Sequence, residues 1–332
     1  MLRLPVFTAE FPRTIDEAVA LKGRHGPESA YVAGGTDLYP NMKRRQQTPG
    51  TVIDVRGIPE LSRLEVDAGG TLHIGAGVSL TRLIRDRRVR ETWPVLAEAA
   101  ATISTPILQN MGTVGGNLLL DTRCNYYDQT FEWRKAIDFC MKKDGAICWV
   151  APSSPRCWAV QSSDLAPVMV AADAVIVLQG PNGPREIQAG RLYHDDGMRF
   201  LTKEPDELLV AVRVPPPGST RAVYEKLRRR GAFDFPVLGV AAAVRTGEQG
   251  IIESARIVLG AVGSYPKSCD EAAARLVGNR ANDELIDDVA RTAARLGKPL
   301  DNTDFTIGWR KDMVRVFVGR ALRRVTGLRT ED

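Results

Sequence analysis

Short apolar runs alternate with helical spacing along the first two-thirds of the chain. Thr14-x-x-Glu17 has the spacing of a capping box and predicts a helix through about Leu21. Ala30–Ala33 is a short apolar run ending in Gly34-Gly35, and Thr51–Val55 and Thr71–Ala76 read as strands bounded by glycine and proline. Ser79 caps one helix over residues 80–90, and Val95–Ile103 is a second, alanine-rich one. Residues 167–173 read as a helix, 174–179 as a strand, Gly180–Gly183 as a turn and Glu207–Val214 as a further strand. The run Pro215-Pro216-Pro217-Gly218 is the strongest linker signal and divides the chain near 216, into residues 1–216 and 217–332. Beyond it, Phe235–Val244 and Ile251–Val262 predict an antiparallel hairpin, and Asp270–Val277, Glu284–Arg295 and Trp309–Val325 predict amphipathic helices. Mixed strands and helices, ending in a small sheet with a helical layer, make the fold class α+β.

Composition narrows the function classes. At 332 residues with 44% apolar side chains, the chain can fill two or three domains. It holds no apolar run of about 18 residues, and the opening MLRLPVFTAEF lacks a secretory apolar region. A cytoplasmic protein with no membrane role is expected. The net charge of +5 is mild and suits an ordinary mixed surface. Without a basic stripe interleaved with aromatics or a zinc-finger spacing, no nucleic-acid binding is expected. The arginines of Trp309–Val325 and the triple Arg228-Arg229-Arg230 are expected in solvent, and His25, His73 and His194 stand isolated.

The cysteines change the picture. Four of the five, Cys124, Cys140, Cys148 and Cys157, fall within 34 positions, and Cys269 lies far downstream as a buried structural residue. In a reducing compartment such a group points to metal or redox chemistry rather than disulfides. Their spacing, C-x15-C-x7-C-x8-C, contains no C-x-x-C pair. On spacing alone an iron–sulfur cluster, a zinc ion and unligated thiols all remain open. The same window carries Phe131, Trp133, Phe139, Trp149 and Trp158 with Tyr126 and Tyr127, enough for a miniature core around a metal group. Two glycine segments, Ala33-Gly34-Gly35-Thr36-Asp37-Leu38 and Thr113-Val114-Gly115-Gly116-Asn117, could bring backbone N–H groups close to phosphate, although a glycine pair after a strand is commonly only a turn. Neither is a Rossmann or P-loop motif.

These two segments, followed by Ser163-Asp164-Leu165-Ala166-Pro167, resemble the flavin-binding subunit of the molybdenum hydroxylase family, which includes xanthine dehydrogenase and carbon monoxide dehydrogenase. The resemblance spans essentially the whole chain. It implies a two-part FAD-binding domain of the vanillyl-alcohol-oxidase type and a C-terminal sheet-and-helix domain. It also implies FAD contacts from Ala33, Gly34, Gly35, Thr36, Asp37, Leu38, Thr113, Gly115, Gly116, Asn117 and Asp164, with Leu209 and Lys226 near the flavin ring. Forty-five residues separate Asn117 from Ser163, where the family has a short connection. The excess, about residues 121–161, contains the four clustered cysteines. An insert of this kind is similar to that of the 4-hydroxybenzoyl-CoA reductase branch, where it carries a [4Fe–4S] cluster.

That branch implies an electron-transfer subunit with no catalytic acid, base or nucleophile of its own. Electrons from ferredoxin would reach FAD through the cluster. They would then pass to a small [2Fe–2S] subunit and a large molybdenum-cofactor subunit in a heterohexamer, and the large subunit would remove the phenolic hydroxyl of the substrate. Three alternatives stand beside it: a related hydroxylase or dehydrogenase whose electrons leave through the cluster, a stand-alone flavin oxidoreductase with structural zinc, and a zinc-stabilised binding module without flavin. Lys135, Lys142, Lys143 and Arg156 could steer an acidic ferredoxin, although Asp138 and Asp144 lie among them.

Overall fold

The structure is a computed structural model and describes residues 2–328. Its twelve strands are β1 (Thr8–Glu10), β2 (Ser29–Val32), β3 (Thr51–Asp54), β4 (Leu64–Val66), β5 (Leu72–Gly75), β6 (Val175–Gly180), β7 (Gly183–Gln188), β8 (Leu208–Val214), β9 (Thr220–Leu227), β10 (Leu238–Thr246), β11 (Ile252–Gly260) and β12 (Lys267–Ser268). They form a parallel sheet of order β1-β3-β2, an antiparallel sheet of order β4-β5-β8-β6-β7, and an antiparallel sheet of order β12-β11-β10-β9. The chain leaves the second sheet after β5, builds a helical layer and the cysteine-bearing lobe, and returns at β6.

Local chemistry sets the element ends. The Thr14 hydroxyl accepts from the Glu17 N–H at 3.1 Å, and helix Ile15–His25 runs a turn beyond the expected Leu21. The single helix expected over 80–90 is two. Asp86 adopts extended backbone, ends Leu80–Arg85, and accepts from the N–H groups of Arg88 and Val89 to cap Arg87–Thr92. An aspartate that can cap from its own side chain competes with the helix that would run through it.

The apolar run in β10 has two partners. Val240, Ala242 and Val244 join a core with helices Asp270–Ala274, Asp283–Ala294 and Ile307–Thr326. The alternate residues Ala241 and Ala243 join the core beneath helices Pro94–Ala101 and Leu165–Ala171. The period of two puts successive side chains on opposite faces, so a strand buried on both sides must be apolar throughout. Cys269 is fully buried in the first of these cores, as expected.

Candidate functional site

The loop leaving β2 borders a cavity of about 360 Å3. Of the thirteen residues expected around a flavin, eleven line it: Ala33, Gly34, Gly35, Thr36, Asp37, Leu38, Thr113, Gly115, Gly116, Asn117 and Leu209. Gly34 has no alternative, because a Cβ there would sit 1.7 Å from the Met111 carbonyl oxygen. Gly35 takes φ +68°, the left-handed region. The second segment is a short helix, Val114–Leu118, rather than a turn, and the Thr113 hydroxyl caps it by accepting from the Gly116 N–H at 3.0 Å. Asn117 Oδ1 accepts from Ser163 Oγ at 2.7 Å and from the Leu165 N–H at 3.1 Å. The two ends of the 45-residue separation are therefore in contact, and the lobe between them is an appendage on an intact frame.

Asp164 and Lys226 do not line the cavity. They form a buried pair at 3.0 Å, and Tyr224 Oη donates to the other Asp164 oxygen at 2.8 Å. Burial raises the Asp164 pKa and lowers that of Lys226, and each charge opposes the shift of the other. Lys226 Nζ also donates to the carbonyl of Thr102 at 2.9 Å, next to Ile103 and Ser104 in the cavity wall. The pair thus braces that wall from behind. Phe235, Tyr31, Phe200 and Asp121 line the cavity without having been expected there. They come from separate strands and loops, and no local pattern marks them.

In the lobe, Cys124, Cys140, Cys148 and Cys157 are all buried and free of disulfides. All four line one small cavity, together with Tyr126, Tyr127, Met141, Lys142, Trp149, Val150 and Ala159. Among the described residues no three His, Cys, Asp or Glu side chains are gathered as for a single metal ion, and the cavity that the thiols line is about 10 Å3. Cys157 as hydrogen-bond donor holds the Cys148 thiol below its usual range, and burial pushes Cys124 up to about 12. Four buried thiols are the donor set that a four-thiolate cluster requires, and the thioether of Met141 and the phenols of Tyr126 and Tyr127 stand in the wall around them.

Two expectations for the lobe need correction. Its aromatics do not all form a core: Phe131, Trp133 and Trp149 are exposed, and the packed centre consists of Cys124, Cys140 and Cys157 with Tyr127 and Ala159. Its basic residues do not form a steering patch. Lys142 is only 6% exposed at its side chain, Lys143 pairs with Asp144, and Arg156 pairs with Asp195 and stacks on Trp158. Lys135 alone of the four is exposed.

Three side chains fasten the lobe to the frame. Arg134 is wholly buried and donates to the carbonyls of Arg44 and Arg45 at 2.9 and 3.0 Å. Gln46 Nε2 donates to the Tyr127 carbonyl at 2.6 Å. Asn302 holds both flanks of the thiol group: its Nδ2 donates to the Trp158 carbonyl at 2.6 Å, and its own carbonyl accepts from the Asn125 N–H at 3.0 Å. Behind Asn302 stands Arg310. Expected in solvent, it is fully buried and donates to the carbonyls of Leu300, Val237 and Ala261 at 2.8, 3.1 and 2.9 Å. Burial lowers its pKa to about 10. Its carbonyl partners come from three segments, so no helical periodicity could reveal them. Arg310→Met is expected to lower unfolding stability by about 2–6 kcal/mol, since the Val237 and Ala261 carbonyls lose this donor and each buried carbonyl left without one costs roughly 1–3 kcal/mol. An unchanged midpoint in urea denaturation would refute this.

Comparison with known proteins agrees with this arrangement. Residues 5–217 match the family described as FAD binding domain in molybdopterin dehydrogenase, and residues 222–325 match the CO dehydrogenase flavoprotein C-terminal domain. The chain is 35% identical to the aldehyde oxidoreductase FAD-binding subunit PaoB of Escherichia coli over 82% of this chain and 86% of that one. It is 29% identical to the carbon monoxide dehydrogenase medium chain of Hydrogenophaga pseudoflava over 96% of each chain. A solved structure of carbon monoxide dehydrogenase from the same organism superposes with a TM-score of 0.81 at 27% identity, covering 99% of this chain and 100% of that one. Among the described residues no helix is long and apolar enough to cross a membrane. An α+β architecture with a two-part flavin domain, the glycine loops converging on one cavity, and matches along nearly the full length together establish that the chain belongs to the FAD-binding subunits of the molybdenum hydroxylase family.

Proposed function

We propose that this chain is the electron-transfer subunit of a molybdenum dehydrogenase and holds two redox groups. FAD would lie in the cavity lined by Gly34–Leu38, Thr113–Asn117 and Leu209. A [4Fe–4S] cluster would be held by Cys124, Cys140, Cys148 and Cys157. The observation that carries this reading is the convergence of four buried thiols on one cavity beside the flavin cavity. FAD exchanges electrons in ones and twos and an iron–sulfur cluster in ones, so the two cofactors supply the redox chemistry. The residues of this chain bind them, keep water out and set the charge around them. A small [2Fe–2S] subunit and a large molybdenum subunit are the implied partners, and the large one would bind the substrate.

The named relatives are an aldehyde oxidoreductase subunit and dehydrogenase subunits, which favours oxidation of the substrate with electrons leaving through the cluster. The insert favours a second reading, reductive removal of a hydroxyl from 4-hydroxybenzoyl-CoA, with electrons entering from ferredoxin. Anaerobically purified protein is expected to show flavin bands over broad iron–sulfur absorption, with about four irons per chain. Flavin with zinc and no iron would overturn the cluster, and a colourless protein would overturn both groups.

A further inference from the structure

The two cavities share a wall, and the wall carries an oriented charge pair. Lys142 lines the thiol cavity and not the flavin cavity, and Asp121 lines the flavin cavity and not the thiol cavity. Lys142 Nζ donates to Asp121 Oδ1 and to Thr122 Oγ1, both at 2.8 Å, and to the Gly197 carbonyl at 2.7 Å. The other Asp121 oxygen accepts from Tyr127 Oη and from Gln47 Nε2, each at 3.0 Å. The pair is nearly dry, with side-chain exposures of 6% for Lys142 and 12% for Asp121. All three N–H donors of Lys142 and both oxygens of Asp121 are engaged, so neither side chain can swing across the wall without losing several hydrogen bonds.

A second ionic chain crosses the same wall. Asp128 accepts from the Cys124 N–H on the thiol side, Arg123 lies in the middle, and Asp37 lies on the flavin side. Its one cation stands between two carboxylates, Asp37 on the flavin cavity and Asp128 beside the Cys124 backbone, so it adds little asymmetry. The asymmetry comes from Lys142 and Asp121.

We infer that the Lys142–Asp121 pair is a positioning element that raises the potential of the cluster relative to that of the flavin. This rests on the function proposed above. A fixed cation beside a cluster favours its reduced, more negative state, and a fixed carboxylate beside a flavin disfavours added electrons there. With the cation on the thiol side and the anion on the flavin side, both effects draw an electron toward the cluster. The wall is thus built for electrons to leave the flavin through the cluster, the direction an oxidising enzyme needs.

The test is an anaerobic redox titration of the full chain carrying its iron and FAD. Cluster reduction is followed by electron paramagnetic resonance and flavin reduction by visible absorbance. Lys142→Met is expected to shift the cluster midpoint down further than the flavin midpoint. Asp121→Asn should shift the flavin midpoint up further than the cluster midpoint. Both variants therefore narrow the gap between the two midpoints, and Lys142→Arg, which keeps the charge, restores it. An unchanged or wider gap in Lys142→Met with full iron and FAD overturns the inference and leaves the proposed function standing. Should Lys142→Met fail to retain iron, the gap in Asp121→Asn decides in the same way. Wild-type protein without iron overturns the proposed function itself.

Discussion

Cys140→Ser is expected to empty the chain of most of its iron while leaving its FAD in place. Cys140 is one of the four thiols on the small cavity, and a [4Fe–4S] cluster has one protein ligand per iron. A serine hydroxyl at that position is a poor substitute for a soft thiolate. The cavity proposed for FAD is lined by no residue from 122 to 199, so Cys140 is not part of its wall. Cys269→Ser is the control. That thiol is also fully buried, and burial pushes it up to about 12, but it sits in the core under helices Asp283–Ala294 and Ile307–Thr326. It is expected to keep both iron and FAD. Equal iron content in Cys140→Ser and wild type would show that the four thiols bind no cluster.

Gly34→Ala is expected to reduce FAD affinity by roughly ten- to a hundredfold, the equivalent of the 1–3 kcal/mol typical of overpacking. The added methyl would meet the carbonyl oxygen of Met111 at 1.7 Å and its carbon at 2.4 Å. Both are backbone atoms of the turn after helix Pro106–Gln109, pinned by the N–H of Gly112 donating to the Leu108 carbonyl at 2.7 Å. No rotamer change relieves that contact, so one wall of the cavity must move. Gly23→Ala is the matched control, since its Cβ would meet nothing within 4 Å and it lies inside helix Ile15–His25. It should leave FAD binding unchanged and add stability on the order of 0.5–1 kcal/mol. FAD titration by fluorescence quenching separates the two variants.

Much of the frame is legible because it depends on local rules. Thr14, Ser79 and Thr113 all cap from their own side chains, and the turn at Gly180–Gly183 closes the β6–β7 hairpin. The glycine loops and the four cysteines were readable as groups, and each group converges on one cavity. What the sequence hides depends on contacts between distant segments. Arg310 looks like any arginine on a basic helix until carbonyls 49 and 73 residues away surround it. Asn302 lies in an unpatterned stretch and gains its role only by reaching Trp158, 144 residues earlier. Asp164 and Lys226, expected at the flavin, pair with each other behind the cavity wall, a layer deeper than the resemblance implies.

The clamp at Asn302 also has a consequence in time. Cys157 is synthesised 145 residues before Asn302. Until then Asn125 and Trp158 lack the partner that holds the flanks of the thiol group. These two contacts of the lobe can form only after Asn302 has been synthesised. Completion of the thiol lobe is thereby ordered after the synthesis of Asn302.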